Sequence, residues 1–492
     1  MRCPVDPSPI SHAIGSIELD DPLLNRGLAS PDQAPVTPNA PSEQRGADQP
    51  IAIGTRGAIP IWRTVMRVPL TILLLSGFGL TFQAEAATVN YDEAVMPSFT
   101  LPDPLVCFDG SPVVSAEDWI SRRRPEVLDA FRREVYGRSP GAPQKVEYRL
   151  LEASSEVLDG TAIRKQVRLV VHGLAPDRSV ALDLLLYIPK AGGNPAPAFV
   201  GLNFRGNHAV TFDPEVLLPQ PWTGTRPNGE RVEFRPQESE RGSQASRWPI
   251  PMILEQGYAV GTVYCGDIDP DFHDGFANGV HPLFRQAGET ERAEDAWGTI
   301  AGWAWGLSRV LDYLETDPDI DAGKVAVIGH SRLGKTALWA GAEDPRFAMV
   351  ISNDSGCGGA ALSRRRIGES VERINTAFPH WFCTNYRAFN DNEDASLVDQ
   401  HLLLALIAPR PVYVASAEDD KWADPRGEFL ALRAASPVYK LFGGDGLEGV
   451  EAATVNQPVA ADAMFYHLRS GGHDITPFDW QQYLAAADRF LK

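Results

Sequence analysis

Lys324-Val-Ala-Val-Ile-Gly-His-Ser-Arg-Leu-Gly-Lys335 is the stretch whose reading decides the fold of this chain. Its apolar run, Val325–Ile328, has the mostly β-branched character of a strand buried on both faces. A helical pattern, Arg332–Ala342, begins directly after the serine. Between them Gly329-His330-Ser331-Arg332-Leu333-Gly334 has the form G-x-S-x-x-G, one residue longer than the usual nucleophile elbow. The physical demand is the same. Small residues flank a serine held on a sharp, strained turn, and Gly329 lets neighbouring backbone come close. The helix behind Ser331 points its first N–H groups at the place where an oxyanion would form. Alone such a motif is weak; a strand before it and a helix after it give it weight.

Working outward, alternating apolar and polar residues mark strands at Val167–His172 and Val180–Ile188. Short apolar runs follow at Ala198–Phe204, Tyr258–Tyr264, Val325–Ile328, Ala348–Ser352, Val412–Ala415 and Met464–Leu468. Helical patterns at Trp119–Tyr136, Arg292–Glu315, Arg332–Ala342 and Trp480–Leu491 surround or separate them. Two antiparallel strands leading into about six parallel ones, with helices on both faces, is the α/β-hydrolase layout. Ser331 then follows the fifth strand. The intervals 205–257 and 355–410 are too long for plain loops and read as insertions building the rim of a site. No internal repeat is visible, and 87–492 reads as a single catalytic domain.

The chain has 492 residues and a formal net charge of -19, with 43% hydrophobic and 22% charged residues. Without a basic surplus there is nothing to neutralise phosphates, so a nucleic-acid partner is excluded. The five cysteines form no CxxC or Cys/His spacing, so no metal site and no cofactor is expected. Cys107, Cys265, Cys357 and Cys383 would belong to the mature protein, as two bridges in one of three connectivities or as free thiols. Residues 1–65 are polar and Pro/Ser/Gly-rich, and read as disordered or as an upstream extension of a product starting at Met66. Met66-Arg67, the apolar run Val68–Phe82 and Ala84-Glu85-Ala86 are the parts of a secretory signal peptide over 66–86. The run is short for a membrane span of about 20 residues. A secreted or periplasmic monomer starting near Ala87 is expected, without stable membrane insertion.

A serine nucleophile needs a histidine base, and in this fold the chain order is serine, acid, histidine. Of His380, His401, His467 and His473, only His473 lies just past the last strand, in Ser470-Gly-Gly-His-Asp474, where a mobile turn precedes a helix. His467 falls inside the strand and reads as a packed core residue. The acid has only to hold the imidazole by its Nδ1–H. Carboxylates end two neighbouring strands: Asp354 in one case, Glu418, Asp419 and Asp420 in the other. Either place satisfies the requirement. Arg332 and Lys335, three apart at a helix start, project to one side although cations there oppose the helix dipole.

Gly329-His-Ser-Arg-Leu-Gly-Lys335, Ser355-Gly-Cys-Gly-Gly-Ala-Ala-Leu-Ser-Arg364, Trp422-Ala-Asp-Pro425, Gly472-His473 and Gly201-Leu-Asn-Phe-Arg-Gly-Asn-His208 together resemble the glucuronoyl esterases, the fifteenth family of carbohydrate esterases, and its bacterial branch in particular. The resemblance spans about residues 100–492. It implies hydrolysis of the ester between a (4-O-methyl-)glucuronic acid of glucuronoxylan and a lignin alcohol. By position it implies Ser331 as nucleophile, His473 as base and Arg332 as a binder of the oxyanion. It likewise implies Lys335 and Glu369 as contacts to sugar hydroxyls and Trp422 as the tryptophan over the sugar ring. Where familiar members carry glutamate after the sixth strand, this chain has the shorter Asp354. Asp420 resembles the alternative acid of bacterial relatives, so a carboxylate stands at both places.

Two other classes compete. An acetylxylan esterase of the same fold needs only a small acyl pocket and would not call for Lys335, Glu369 and Trp422, and a peptidase of that fold would usually bring a propeller or other large extra domain. A non-catalytic polysaccharide-binding homologue would have no use for Ser331 and His473, and both are present.

Overall fold

The computed structural model describes residues 89–492 apart from 176, 194, 287 and 290. The upstream segment and the signal peptide expected over 1–86 lie outside the described residues. The described chain falls in one compact unit, Gln83–Lys492.

Twelve strands are found among the described residues: β1 Lys145–Val157, β2 Ala162–His172, β3 Ser179–Pro189, β4 Ala196–Asn203, β5 Trp222–Thr225, β6 Arg231–Phe234, β7 Ala259–Tyr264, β8 Ile320–His330, β9 Met349–Asn353, β10 Val412–Ala417, β11 Val459–Ala461 and β12 Met464–Arg469. Ten of them make one sheet in the order β1-β2-β3-β7-β4-β8-β9-β10-β12-β11, and β5-β6 form a separate hairpin. The strands from β7 to β12 in that order pair in parallel. Antiparallel pairs close both edges.

The central strands read as unbroken apolar runs because both of their faces are covered. Val325 and Val327 of β8 point into a core shared with Trp303, Leu307 and Trp339. Ala326 and Ile328, alternating with them, point into a second core with Ile253, Trp480 and Tyr483. Helices Thr299–Leu314, Arg332–Glu343 and Pro425–Ala434 cover the first face. Ile250–Glu255 and Pro477–Ala487 cover the second. Full burial of each such side chain contributes about 1.5–3 kcal/mol.

Several boundaries differ from expectation. Three antiparallel strands, not two, precede the parallel set: β1 was hidden because most of its residues are exposed and its pattern does not alternate. The short β5–β6 and β11 gave no periodicity to read. The helix expected from Arg292 starts at Thr299, after Gly298. The stretch Trp119–Tyr136 is helical, but Trp119–Arg123 widens into a π turn before Arg124–Glu134; Pro125 has no N–H to donate into the preceding turn. The last helix runs Pro477–Ala487, not 480–491. Thr476 and Asp479 form a capping box that sets its start.

Cys107, Cys265, Cys357 and Cys383 are all buried and free. Among the described residues no helix is long and apolar enough to cross a membrane.

Candidate active site

β8 ends in the tight turn that the sequence promised. Ser331 has φ 58° and ψ -128°, a left-handed conformation costly for any residue with a side chain. Three hydrogen bonds hold it: its N–H donates to Asn353 O at 2.8 Å, and its carbonyl accepts from Gly334 N–H at 2.9 Å and Lys335 N–H at 3.2 Å. A Cβ on residue 329 would lie 1.8 Å from Leu333 O, so only glycine lets the helix fold back this closely. The register pairs His330 with Asn353. Their side chains meet, His330 Nδ1 lying 2.6 Å from Asn353 Oδ1. Burial pushes the His330 imidazole well below the usual histidine range, so it stays neutral.

The His473 ring packs against that of His330, with centroids 4.5 Å apart. His473 thus reaches the serine turn from the loop after β12, its side chain 42% exposed. Its Nδ1 lies 2.6 Å from Asp420 Oδ2, and Asp420 is otherwise buried. Asp354, also buried, turns elsewhere: its Oδ2 accepts from Arg469 Nη2 at 3.4 Å, and its Oδ1 has no hydrogen-bond partner among the described residues. Burial pushes the Asp354 carboxyl well above the usual range, and the nearby Glu428 and Asp420 add to this. Glu418 and Asp419 are exposed. The structure therefore brings Asp420 into contact with His473 and gives Asp354 a different neighbour.

The remaining sequence candidates gather at the start of the helix Arg332–Glu343. Arg332 Nη1 pairs with Asp271 Oδ2 at 2.5 Å. Its guanidinium lies 4.8 Å from the Trp381 ring and within 6 Å of Phe204 and Phe378, and its Nε has no hydrogen-bond partner among the described residues. Lys335, buried, donates to Ser355 O at 2.5 Å and lies 5.9 Å from the same Trp381 ring. Glu369 Oε2 is 3.9 Å from Lys335 Nζ. Burial lowers the Lys335 ammonium and raises the Glu369 carboxyl; each charge opposes the shift of the other. Glu369 N–H donates to Trp422 O at 3.0 Å, which joins the insertion 355–410 to the loop after β10. Gly368 makes the approach possible, since a Cβ there would lie 2.3 Å from Trp422 O. The Trp422 side chain stays 41% exposed.

Sequence reasoning missed several residues here. Asp271, in Asp269-Pro-Asp-Phe-His-Asp274, accepts from His380 Nε2 at 3.1 Å and Trp381 Nε1 at 2.8 Å as well as from Arg332. Burial alone would raise its carboxyl; the His380 hydrogen bond and the Arg332 charge hold it down at about 2. Its one sequence signal was its place in a long segment after β7, at the carboxyl end of the sheet where such sites lie. Glu428 is fully buried beneath the acids. It accepts from Ser355 N–H, Gly356 N–H, Ser355 Oγ and Ser416 Oγ, and so ties the ends of β9 and β10 together. Burial pushes it up to about 7 despite those donors. In the sequence around it nothing set Glu428 apart. His467 is buried between Tyr413 and Asp479, and His401 bonds to Pro102 O at 2.8 Å.

Asp354, Asp420 and His473 place potential ligand atoms within 4.8 Å of one another, the grouping a metal ion would need. His473 Nδ1 is already engaged by Asp420, and Asp354 Oδ2 faces the Arg469 guanidinium.

A parallel sheet flanked by helices, with a strained serine after a central strand and a carboxylate-bound histidine after the last, defines an α/β-hydrolase. Comparison with known proteins narrows the class. Residues 291–443 match the model of the fungal glucuronyl esterase family. The chain is 49% identical over 409 residues to a carbohydrate esterase, MZ0003, from an unknown prokaryotic organism, covering 83% of this chain and 93% of that one. The solved glucuronoyl esterase from Solibacter usitatus is 46% identical with a TM-score of 0.75, covering 81% of this chain and 100% of that one. A 4-O-methyl-glucuronoyl methylesterase of Schizophyllum commune is 26% identical, over 77% of this chain and 82% of that one. The chain belongs to the glucuronoyl esterases, carbohydrate esterase family 15, on their bacterial side, and is a carboxylic ester hydrolase.

Proposed function

We propose that the chain hydrolyses the ester between (4-O-methyl-)glucuronic acid of glucuronoxylan and a lignin alcohol, through Ser331, His473 and Asp420. The observation that carries this reading is the set Lys335, Glu369 and Trp422 gathered beside the serine turn. A buried cation and carboxylate with an exposed indole suit a hydroxylated ring; a small acyl group would need none of them.

In the first step His473 Nε2 takes the Ser331 hydroxyl proton as Oγ bonds to the uronic carbonyl carbon. The carbonyl π electrons move onto oxygen. Backbone N–H groups at the start of the helix Arg332–Glu343, and Arg332 itself, meet that oxyanion. Asp420 accepts from His473 Nδ1–H, keeps the tautomer and stabilises the imidazolium. The intermediate collapses, the C–O bond to the alcohol breaks, and His473 returns the proton to the leaving oxygen. Water repeats the sequence on the acyl-enzyme and releases the acid. Asp271 keeps Arg332 pointed into the site while the rings of Trp381 and Phe204 shield it. Such a substrate is a plant-wall polymer outside the cell, in keeping with an export signal at 66–86.

Turnover of benzyl glucuronate beside p-nitrophenyl acetate tests the proposal. A preference for the uronic ester is expected. A preference for acetate would favour an acetyl esterase, and no turnover of either would favour a binding protein.

A further inference from the structure

The loop that carries His473 contains two glycines, Gly471 at φ +94° and Gly472, and ends before the helix Pro477–Ala487. Glycines leave a backbone with many accessible states. The imidazole is 42% exposed, and only the Asp420 hydrogen bond and the His330 ring touch it among the contacts above. Something must hold the loop for that geometry to persist.

The last residue of β12 does so. Arg469 is buried, and its guanidinium lies under the loop. Nη1 donates to Ser470 O at 3.1 Å, and Nη2 donates to Gly472 O at 2.8 Å and Asp474 O at 2.5 Å. Those last two carbonyls are on either side of His473. Nε donates to both oxygens of Asp479, at 3.2 and 3.0 Å, and Asp479 caps the following helix. Nη2 also meets Asp354 Oδ2 at 3.4 Å. One planar fork thus joins the strand end, both flanks of His473 and the start of the next helix. From outside, Arg247 Nε holds Asp474 Oδ1 at 2.6 Å.

We propose that Arg469 is a positioning residue: it fixes the backbone on both sides of His473 and so aims the imidazole at Ser331. The second acid of this chain, Asp354, then has its Oδ2 facing that fork rather than His473 Nδ1. The inference rests on reading His473 as the base. A guanidinium is required because its donors lie in a rigid plane, whereas an ammonium is a point charge.

The test is Arg469→Lys in the full chain, which keeps the buried charge but not the fork. Folding is followed by near-ultraviolet circular dichroism, and competent sites are counted by acyl-enzyme burst. The Asp420-bound Nδ1–H of His473 is observed as a low-field proton resonance, assigned by its loss in His473→Ala. With folding retained, kcat per competent site should fall about 10–100-fold with KM within about threefold, as a displaced catalytic group entails. The resonance should broaden or vanish. An unchanged resonance, or kcat per site within twofold of the parent, would overturn the proposal. If Arg469→Lys does not fold, Arg469→Gln with Asp354→Asn replaces the fork and the carboxyl that faces it by neutral groups and carries the same readouts. Full activity in His473→Ala would instead overturn the base assignment, a separate failure.

Discussion

His473 Nδ1 lies 2.6 Å from Asp420 Oδ2, while Asp354, one strand away, faces Arg469 Nη2 at 3.4 Å. Two carboxylates close enough to share one histidine therefore have separate partners. Asp420 sits two residues before Trp422, on the loop that also meets Glu369.

Replacing Asp420 by asparagine should lower kcat on the order of 10⁴-fold, because the wrong imidazole tautomer becomes favoured. Asp354→Asn should stay within about tenfold, under ~1.4 kcal/mol. Measuring kcat for both singles and the double separates the roles. A double far worse than the product of the singles would mean that the two acids substitute for one another.

Arg332→Ala should lower kcat by roughly 10²–10³ with a much smaller change in KM, since the charge it meets exists mainly in the transition state. Asp271→Asn should do the same in weaker form, about tenfold, by releasing the guanidinium. A change confined to KM in either variant would make Arg332 a ground-state contact.

How much of this was legible beforehand follows from which residues obey a local rule. The strand-turn-helix around Ser331 did, because a buried strand, a glycine and a strained serine leave a fixed pattern. So did His473, placed by chain order after the last strand. The acid did not, because carboxylates ended two adjacent strands, and only their tertiary contacts, Asp420 with His473 and Asp354 with Arg469, distinguish them. Asp271 and Glu428 were invisible for a related reason: each acts through contacts with segments more than 60 residues away, Arg332 for one and Ser355 for the other. β1 was missed because an exposed edge strand need not alternate.

Glu428 gives a pH-dependent term in stability. Burial raises its carboxyl from 4.5 to about 7, so the folded chain holds a proton that the unfolded chain releases between those values. The contribution is complete below about pH 4.5 and lost as pH rises through about 7, worth up to roughly 3 kcal/mol. Tm should therefore fall between about pH 5 and 8, and less steeply in Glu428→Gln. Equal slopes in the two proteins would show that the proton resides elsewhere.

Gly329→Ala should abolish the active fold locally or globally, because the added methyl would lie 1.8 Å from Leu333 O. A loss of activity together with a lower Tm is expected; a fully stable, fully active variant would mean that the turn is looser than described.

The central claim is that Ser331 attacks a glucuronate ester, and turnover of benzyl glucuronate by Ser331→Ala tests it most directly. The variant should fold with the parent's circular dichroism and bind the ester, yet lose kcat by at least about 10⁴-fold, keeping only what the oxyanion donors and binding supply. Hydrolysis near the parent rate in that folded variant would contradict the account.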